Sequence, residues 1–337
     1  MIRIAINGFG RIGRCLLRAW AEAGLESEFE IVAINELAEP DTIAYLTRFD
    51  STHGRFPMPV AVGPDKGELH VGKHPVQLLN ESDIASLPWR ELGIDLVFEC
   101  TGSFSDRKTA EKHLSSGAKK VLFSQPANRD VDATIVFGVN DHLLEKEMTI
   151  VSAASCTTNA VVPVIDCLEK AIGIESGMVR TIHAAMHDQP VIDAYHSQDL
   201  RKTRAAFESL IPVETGLAAG IERVLPELEG RFAATAMRVP VSDVSAMDLA
   251  VNLSEDVSAE QINQILAEAS QNAYAEVLGF MDEPLVSCDF VHDSRSGIVD
   301  AAQTTVAGDR LAKILIWFDN EWGYANRMLD VARAWCH

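Results

Sequence analysis

The chain has 337 residues, 47% hydrophobic and 23% charged, which suits two globular domains of ordinary size rather than a disordered or fibrous chain. A formal net charge of -20 argues against nucleic acid or an anionic membrane surface as the main partner, since either requires a basic face. No apolar run approaches the roughly 18 residues of a membrane span, so no membrane segment is expected.

The first residues, Ile2-Arg3-Ile4-Ala5-Ile6, alternate as a strand, with no signal-peptide pattern ahead of them. Six cysteines (Cys15, Cys100, Cys156, Cys167, Cys288 and Cys336) are scattered without CxxC or CxxH spacing. Neither a disulfide framework nor a metal site is expected, and the cytoplasm is the default location.

The opening strand runs into Gly8-Phe9-Gly10-Arg11-Ile12-Gly13, followed by a segment with Ile12, Leu16, Leu17 and Trp20 on one face. A GxGxxG motif between strand and helix predicts a dinucleotide-binding turn: Gly8 for tightness, Gly10 for approach of a pyrophosphate, Gly13 for helix–strand packing. A second strand, Ile31-Val32-Ala33-Ile34-Asn35, ends in Glu36, 23 residues past Gly13. A carboxylate there accepts from both ribose hydroxyls of NAD and repels the 2′-phosphate of NADP, so NAD is the expected cofactor. Val60–Val62 and Glu68–Val71 read as a hairpin. Apolar runs at 95–100, 120–124 and 134–137, with a helix over 107–116, continue the βαβ rhythm of a parallel sheet. The first domain should end near Ala153.

A strand, Thr149-Ile150-Val151, then gives way to a helix at Ser155-Cys156-Thr157-Thr158-Asn159. A thiol at a helix start meets unpaired N–H groups and the positive end of the dipole, both of which favour a thiolate. Cys156 is therefore a candidate nucleophile, and His183, closing the strand Met178-Val179-Arg180-Thr181-Ile182, a candidate base. Residues 186–213 show no sustained period, which for a stretch of that length points to a site or an interface. Strands are expected at 232–240, 244–254, 285–290, 296–300, 304–306 and 312–319. A helix over 258–273 should open on a Ser258/Gln261 capping box, and another should follow Asn320. The second domain is thus α+β with a largely antiparallel sheet.

Ile6-Asn7-Gly8-Phe9-Gly10-Arg11-Ile12-Gly13-Arg14, Ser155-Cys156-Thr157-Thr158-Asn159, Met237-Arg238-Val239-Pro240 and Asp319-Asn320-Glu321-Trp322-Gly323 resemble, in order, the signatures of the phosphorylating glyceraldehyde-3-phosphate dehydrogenase family. The resemblance implies a Rossmann NAD-binding domain over 1–153, completed by a C-terminal helix over 320–337, and a catalytic domain over 154–319. It implies Cys156 as nucleophile and His183 as base, Arg11 and Ile12 on the pyrophosphate, and Asn320 on the nicotinamide amide. Ser155, Thr157, Thr215, Gly216 and Arg238 would hold substrate oxygens and phosphate, joined as a substrate-binding residue by Lys202, which stands where a loop arginine is usual. The loop at 188–213 is similar to one that reaches a neighbouring subunit, which implies a homotetramer.

Several positions depart from the glycolytic pattern. Ala153 replaces an Asn, Ala160 a Cys, Glu36 an Asp, and Met186 a Thr that helps hold the substrate phosphate. The runs Ala33-Ile34-Asn35-Glu36-Leu37, His183-Ala184-Ala185-Met186-His187-Asp188-Gln189 and Val191-Ile192-Asp193-Ala194-Tyr195-His196 instead resemble the D-erythrose-4-phosphate dehydrogenase branch. That branch oxidises a four-carbon aldose phosphate to 4-phosphoerythronate for pyridoxal phosphate synthesis. The alternative is the glycolytic triose enzyme, with phosphate rather than water releasing the acyl group. A binding protein that kept the fold and lost the chemistry would lack the thiol or the base, and both are present.

Overall fold

The strand-then-glycine pattern at the start of the chain builds the centre of a nine-stranded sheet. The computed structural model describes residues 1–196 and 199–337, so Ser197 and Gln198 of the long loop lie outside the described residues. The chain divides into two units: Met1–Ile135, Asp141–Ser155 and Ala325–His337 form the first, Val136–Asn140 and Cys156–Tyr324 the second.

Unit 1 contains β1 (Ile2–Asn7), α1 (Arg11–Glu22), β2 (Phe29–Asn35), α2 (Pro40–Arg48), β3 (Phe49–Asp50), β4 (Gly54–Arg55), β5 (Val60–Val62), β6 (Glu68–Val71) and β7 (His74–Leu79). It continues with α3 (Trp89–Leu92), β8 (Leu96–Glu99), α4 (Arg107–Ser115), β9 (Lys120–Phe123), β10 (Ala133–Thr134) and β11 (Ile150–Ser152). The sheet order is β10-β11-β9-β8-β1-β2-β7-β6-β5, parallel from β10 to β7 and antiparallel through β6 and β5. The expected hairpin is β5 and β6. The apolar run at 134–137 is shorter as a strand than expected, because Val136 already leaves for unit 2. Helix α2 was not anticipated, although Pro40 at its first turn is a recognised start signal. The last residues of the chain are tied into unit 1 by Arg333 on Glu28 at 2.7 Å and by Lys120, which donates to Trp335 O and lies 4.4 Å from the centre of its ring.

Unit 2 is built around α5 (Cys156–Ala171), followed by β12 (Ile174–His183), β13 (Ile211–Val213), α6 (Leu217–Val224), β14 (Phe232–Arg238) and β15 (Ser245–Leu253). Then come α7 (Ala259–Gln271), β16 (Leu278–Met281), β17 (Gly297–Ala307), β18 (Leu311–Phe318) and α8 (Trp322–Cys336), the last shared with unit 1. The sheet order is β13-β14-β12-β15-β18-β17-β16, antiparallel except for β12 with β14 and β16 with β17. Ser258 caps α7 in the expected box with Gln261. The strand expected at 285–290 is instead a short 3-10 turn at Ser287–Phe290, and the runs at 296–300 and 304–306 are one strand, β17, with an irregularity between Asp300 and Thr305. No helix among the described residues is long and apolar enough to cross a membrane.

Eleven consecutive residues of α5, 158–168, are buried. The helix lies against β12, β15, β17 and β18 and also packs on α6 and α7. Two glycines permit this: a Cβ on Gly297 would stand 2.6 Å from Ala160 O, and one on Gly220 of α6 would stand 2.8 Å from Thr158 Oγ1. The one buried carboxylate of α5, Asp166, accepts from Tyr274 Oη at 2.7 Å and from Lys170 Nζ at 2.8 Å, which offsets its burial. Because backbone cannot yield as a flexible side chain does, Gly297→Ala should destabilise the protein by about 1–3 kcal/mol in urea unfolding. An unchanged midpoint would show that α5 is held less closely than these contacts imply.

Candidate active site

In unit 1 the chain leaves β1 through Gly8 at φ +88, where a Cβ would lie 2.5 Å from Thr101 N, so both conformation and space require glycine. Gly10 caps α1 with open space where a Cβ would stand, and Gly13 faces Gly8 O. Arg11 and Ile12 are the first residues of α1. The Arg11 guanidinium grips both oxygens of Asp50, at 2.5 and 3.2 Å, leaving its backbone N–H as its contribution to the helix start. Burial would raise the Asp50 carboxyl, but Arg11 and the backbone N–H groups of Thr52 and His53 hold it well below the usual carboxylate range.

Glu36 closes the same turn. Its Oε2 accepts the Phe9 N–H and its Oε1 the Leu37 N–H, both at 2.8 Å. It stands at a cavity of about 250 Å³ lined by Phe9, Gly10, Ala38, Ile43 and Leu46 together with Arg14 and Thr42, a mostly apolar slot with one carboxylate and one guanidinium. Behind the turn, a buried network not visible in the sequence fixes the carboxyl ends of three strands. Asn35 donates to Asn7 at 2.7 Å and Asn7 to Glu99 at 2.6 Å, while Glu99 also accepts from His113 Nε2, Thr101 N and the Thr101 hydroxyl. The glycine cradle, the slot and the carboxylate suit the adenosine and pyrophosphate of a dinucleotide.

The chain enters unit 2 through Ala154, which takes φ +58 at a position without glycine, and Ser155; Cys156 is then the first residue of α5. Such left-handed backbone is a strained arrangement that recurs at functional sites. Cys156 Sγ lies 3.7 Å from His183 Nε2, and the backbone N–H groups of Cys156 and Thr157 are directed at the sulfur. His183 Nδ1 meets Ala184 O at 2.8 Å; a carbonyl only accepts, so Nδ1 carries the proton and Nε2 presents its lone pair to the thiol. Phe318 packs edge-on to the imidazole, with centroids 6.1 Å apart.

Arg238 arrives by sheet register, since β14 pairs β12 with Arg238 opposite His183. Its Nε and Nη1 are buried without a hydrogen-bond partner. Lys202 is differently placed, its Nζ bound to Asp188 Oδ2 at 2.7 Å. Thr215 and Gly216 lie past the end of β13 at the start of α6, where Thr215 Oγ1 accepts the Leu217 N–H; among the described residues no hydrogen bond joins them to Arg238. Met186 is 37% exposed. Asn320 follows β18 and is held through its Oδ1 by Ser245, a residue without a motif to announce it.

Burial decides the protonation of the pair. It pushes the Cys156 thiol up to about 11, only partly opposed by Arg238, and together with Arg238 it pushes His183 down to about 3. The helix start favours a thiolate, as expected from the sequence, yet desolvation outweighs it, so the resting pair between these values is a neutral thiol and a neutral imidazole. A thiol with a raised pKa ionises late. Alkylation of Cys156 by iodoacetamide should therefore still be climbing as the pH passes 9, whereas a plateau below pH 7 would reveal a thiolate–imidazolium pair.

Residues 2–107 match the NAD binding domain of glyceraldehyde 3-phosphate dehydrogenase, and residues 155–320 match its C-terminal domain. The first match covers the glycine turn and Glu36; the second runs from Ser155 through Cys156, His183 and Arg238 to Asn320. The chain belongs to the glyceraldehyde-3-phosphate dehydrogenase family and is an NAD-dependent oxidoreductase.

Proposed function

We propose that this protein oxidises D-erythrose 4-phosphate to 4-phosphoerythronate through a thioester on Cys156, an activity that would feed pyridoxal phosphate synthesis. As Cys156 Sγ attacks the aldehyde carbon, its proton passes to His183 Nε2 and on to the carbonyl oxygen, giving a hemithioacetal. NAD supplies the hydride acceptor. His183 Nε2 takes the hydroxyl proton as the carbon is oxidised, and the thioester is released to water as the acid. Thr157 and Ser155 flank the reacting carbon, Arg238 holds the substrate phosphate, and Thr215 and Gly216 complete the substrate contacts. Gly8, Gly10, Arg11, Ile12, Gly13 and Glu36 hold the dinucleotide, with Asn320 on its nicotinamide amide.

The observation that carries the choice of substrate is the state of the cations. Arg238 has buried nitrogens without a partner, whereas Lys202 is neutralised by Asp188, and Met186 offers no hydroxyl. One strong anion site supports a phosphate-bearing aldehyde; the weakness of a second supports water over inorganic phosphate in the release step. Burial would raise Asp188, but the hydrogen bond and charge of Lys202, together with Arg238, hold it below its ordinary value, so that pair persists at neutral pH. We further propose a cytoplasmic homotetramer. Support comes from six free cysteines and from the apolar side chains exposed on the long loop, including Val191, Ile192, Leu200 and Leu210.

Two tests follow from the two ends of the substrate complex. The kcat/KM for D-erythrose 4-phosphate should exceed that for D-glyceraldehyde 3-phosphate, with little response to inorganic phosphate, and Met186→Thr should recover triose activity. A restored hydrogen bond to a charged group is worth roughly 1.5–3 kcal/mol, or about one to two powers of ten. Strong triose preference with strict phosphate dependence would instead identify the glycolytic reaction. For the cofactor, Glu36→Gln keeps an oxygen for the Phe9 N–H and removes the charge. It should raise kcat/KM with NADP by about tenfold or more while NAD remains usable; equal use of both cofactors by the wild type would contradict the role of Glu36.

A further inference from the structure

Ser245 opens β15, the strand between β12, which ends at His183, and β18, which is followed by Asn320. Its side chain is 1% exposed and touches a polar group on either side. Ser245 Oγ lies 3.0 Å from Ala184 N and 2.7 Å from Asn320 Oδ1. The inventory of donors fixes the direction of both bonds. A backbone N–H only donates, so the serine oxygen must accept from Ala184, and its single proton is left to donate to Asn320. The atom facing it must therefore be the Asn320 oxygen, not the nitrogen. Asn320 Nδ2 is thereby turned away with both hydrogens, and no acceptor among the described residues takes them.

The same residue also bears on the thiol through its other peptide, because Ala184 O accepts from His183 Nδ1 and so leaves Nε2 bare toward Cys156. The hydroxyl thus sets the polarity from Ala184 N to Asn320, and its hydrogen bond holds the residue whose carbonyl faces His183 and, beyond it, Cys156. The backbone just before it is strained in order to deliver it. Val244 takes φ +62 while 1% exposed, a conformation that a β-branched residue adopts only when its surroundings impose it.

We infer that Ser245 is a positioning residue of the oxidation, one that makes Asn320 a donor toward a carbonyl-type acceptor on the nicotinamide half of the cofactor and steadies Ala184, the residue whose carbonyl sets the His183 tautomer. This rests on the proposed placement of Asn320 at the nicotinamide amide, and the test separates the two. NAD and ADP-ribose, which lacks nicotinamide, are titrated by calorimetry against wild type, Ser245→Ala, Ser245→Thr, Asn320→Ala and the double variant Ser245→Ala/Asn320→Ala.

Ser245→Ala should weaken NAD roughly fivefold, the effect of one neutral hydrogen bond, and leave ADP-ribose unchanged. Ser245→Thr, which keeps the hydroxyl, should restore NAD binding. In the Asn320→Ala background the serine substitution should add nothing, because its effect passes through that side chain. A selective NAD loss in Asn320→Ala without one in Ser245→Ala overturns the inference alone. Equal weakening of both ligands by Ser245→Ala overturns it too, since that is the mark of a merely structural core residue. If Asn320→Ala leaves the ratio of the two affinities unchanged, the placement of Asn320 fails, and the role of Ser245 falls with it.

Discussion

Helix α5 is packed so closely that two glycines facing it have no room for a side chain, and this contact fixes where the thiol stands. Residues 158–168 are buried, Ala160 O sits where Gly297 has no side chain, and Thr158 sits where Gly220 has none. A displacement of even part of an ångström would meet backbone, and interiors packed to crystal density transmit such a shift instead of absorbing it. Cys156, the proposed nucleophile, is the first residue of this helix, so its position is inherited from the core of unit 2 and not from the loops around it. His183 and Arg238 are fixed by the same sheet, as register partners at the ends of β12 and β14. The three groups that define the site therefore stand on rigid elements, which is what chemistry sensitive to small errors of placement requires.

Burial has a second consequence, which works against the helix start. The N–H groups at the head of α5 and the Arg238 charge favour a thiolate, but desolvation raises the thiol to about 11 and lowers the imidazole to about 3. The pair rests neutral, so in the proposed reaction His183 would accept a proton during attack instead of stabilising a standing anion. Burial also lowers the Arg238 pKa, against the pull of Asp188 and Cys156, so this cation is held in a setting that an anionic ligand would relieve. In the proposed reaction a phosphate-bearing substrate would both satisfy Arg238 and deliver the aldehyde.

What could be read in the sequence was whatever is local. The glycine turn lies within six residues, the helix start at Cys156 within five, and the capping box of α7 within four, and each stands in the structure where its spacing put it. The parallel and antiparallel character of the two sheets followed from the rhythm of strands and helices. A short apolar run with no period of its own does not declare its structure: the run at 285–290 reads as a strand, yet Ser287–Phe290 forms a 3-10 turn, and the runs at 296–300 and 304–306 form the single strand β17. Ser245 could not be found that way, because its partners lie 61 and 75 residues away and its role depends on which atom donates. The neutral state of the Cys156–His183 pair was equally hidden, since it follows from burial, which no motif records.

Every step assigned to this site passes through a bond to one sulfur, and that bond can be caught. Enzyme mixed with NAD and D-erythrose 4-phosphate, quenched in acid within the first turnover and digested, should yield the Cys156 peptide carrying the 4-phosphoerythronyl acyl group, detected by mass spectrometry. His183→Asn should slow its appearance by about 10²–10⁴-fold. An unmodified Cys156 peptide during active turnover, or the acyl group on another cysteine, would contradict the mechanism.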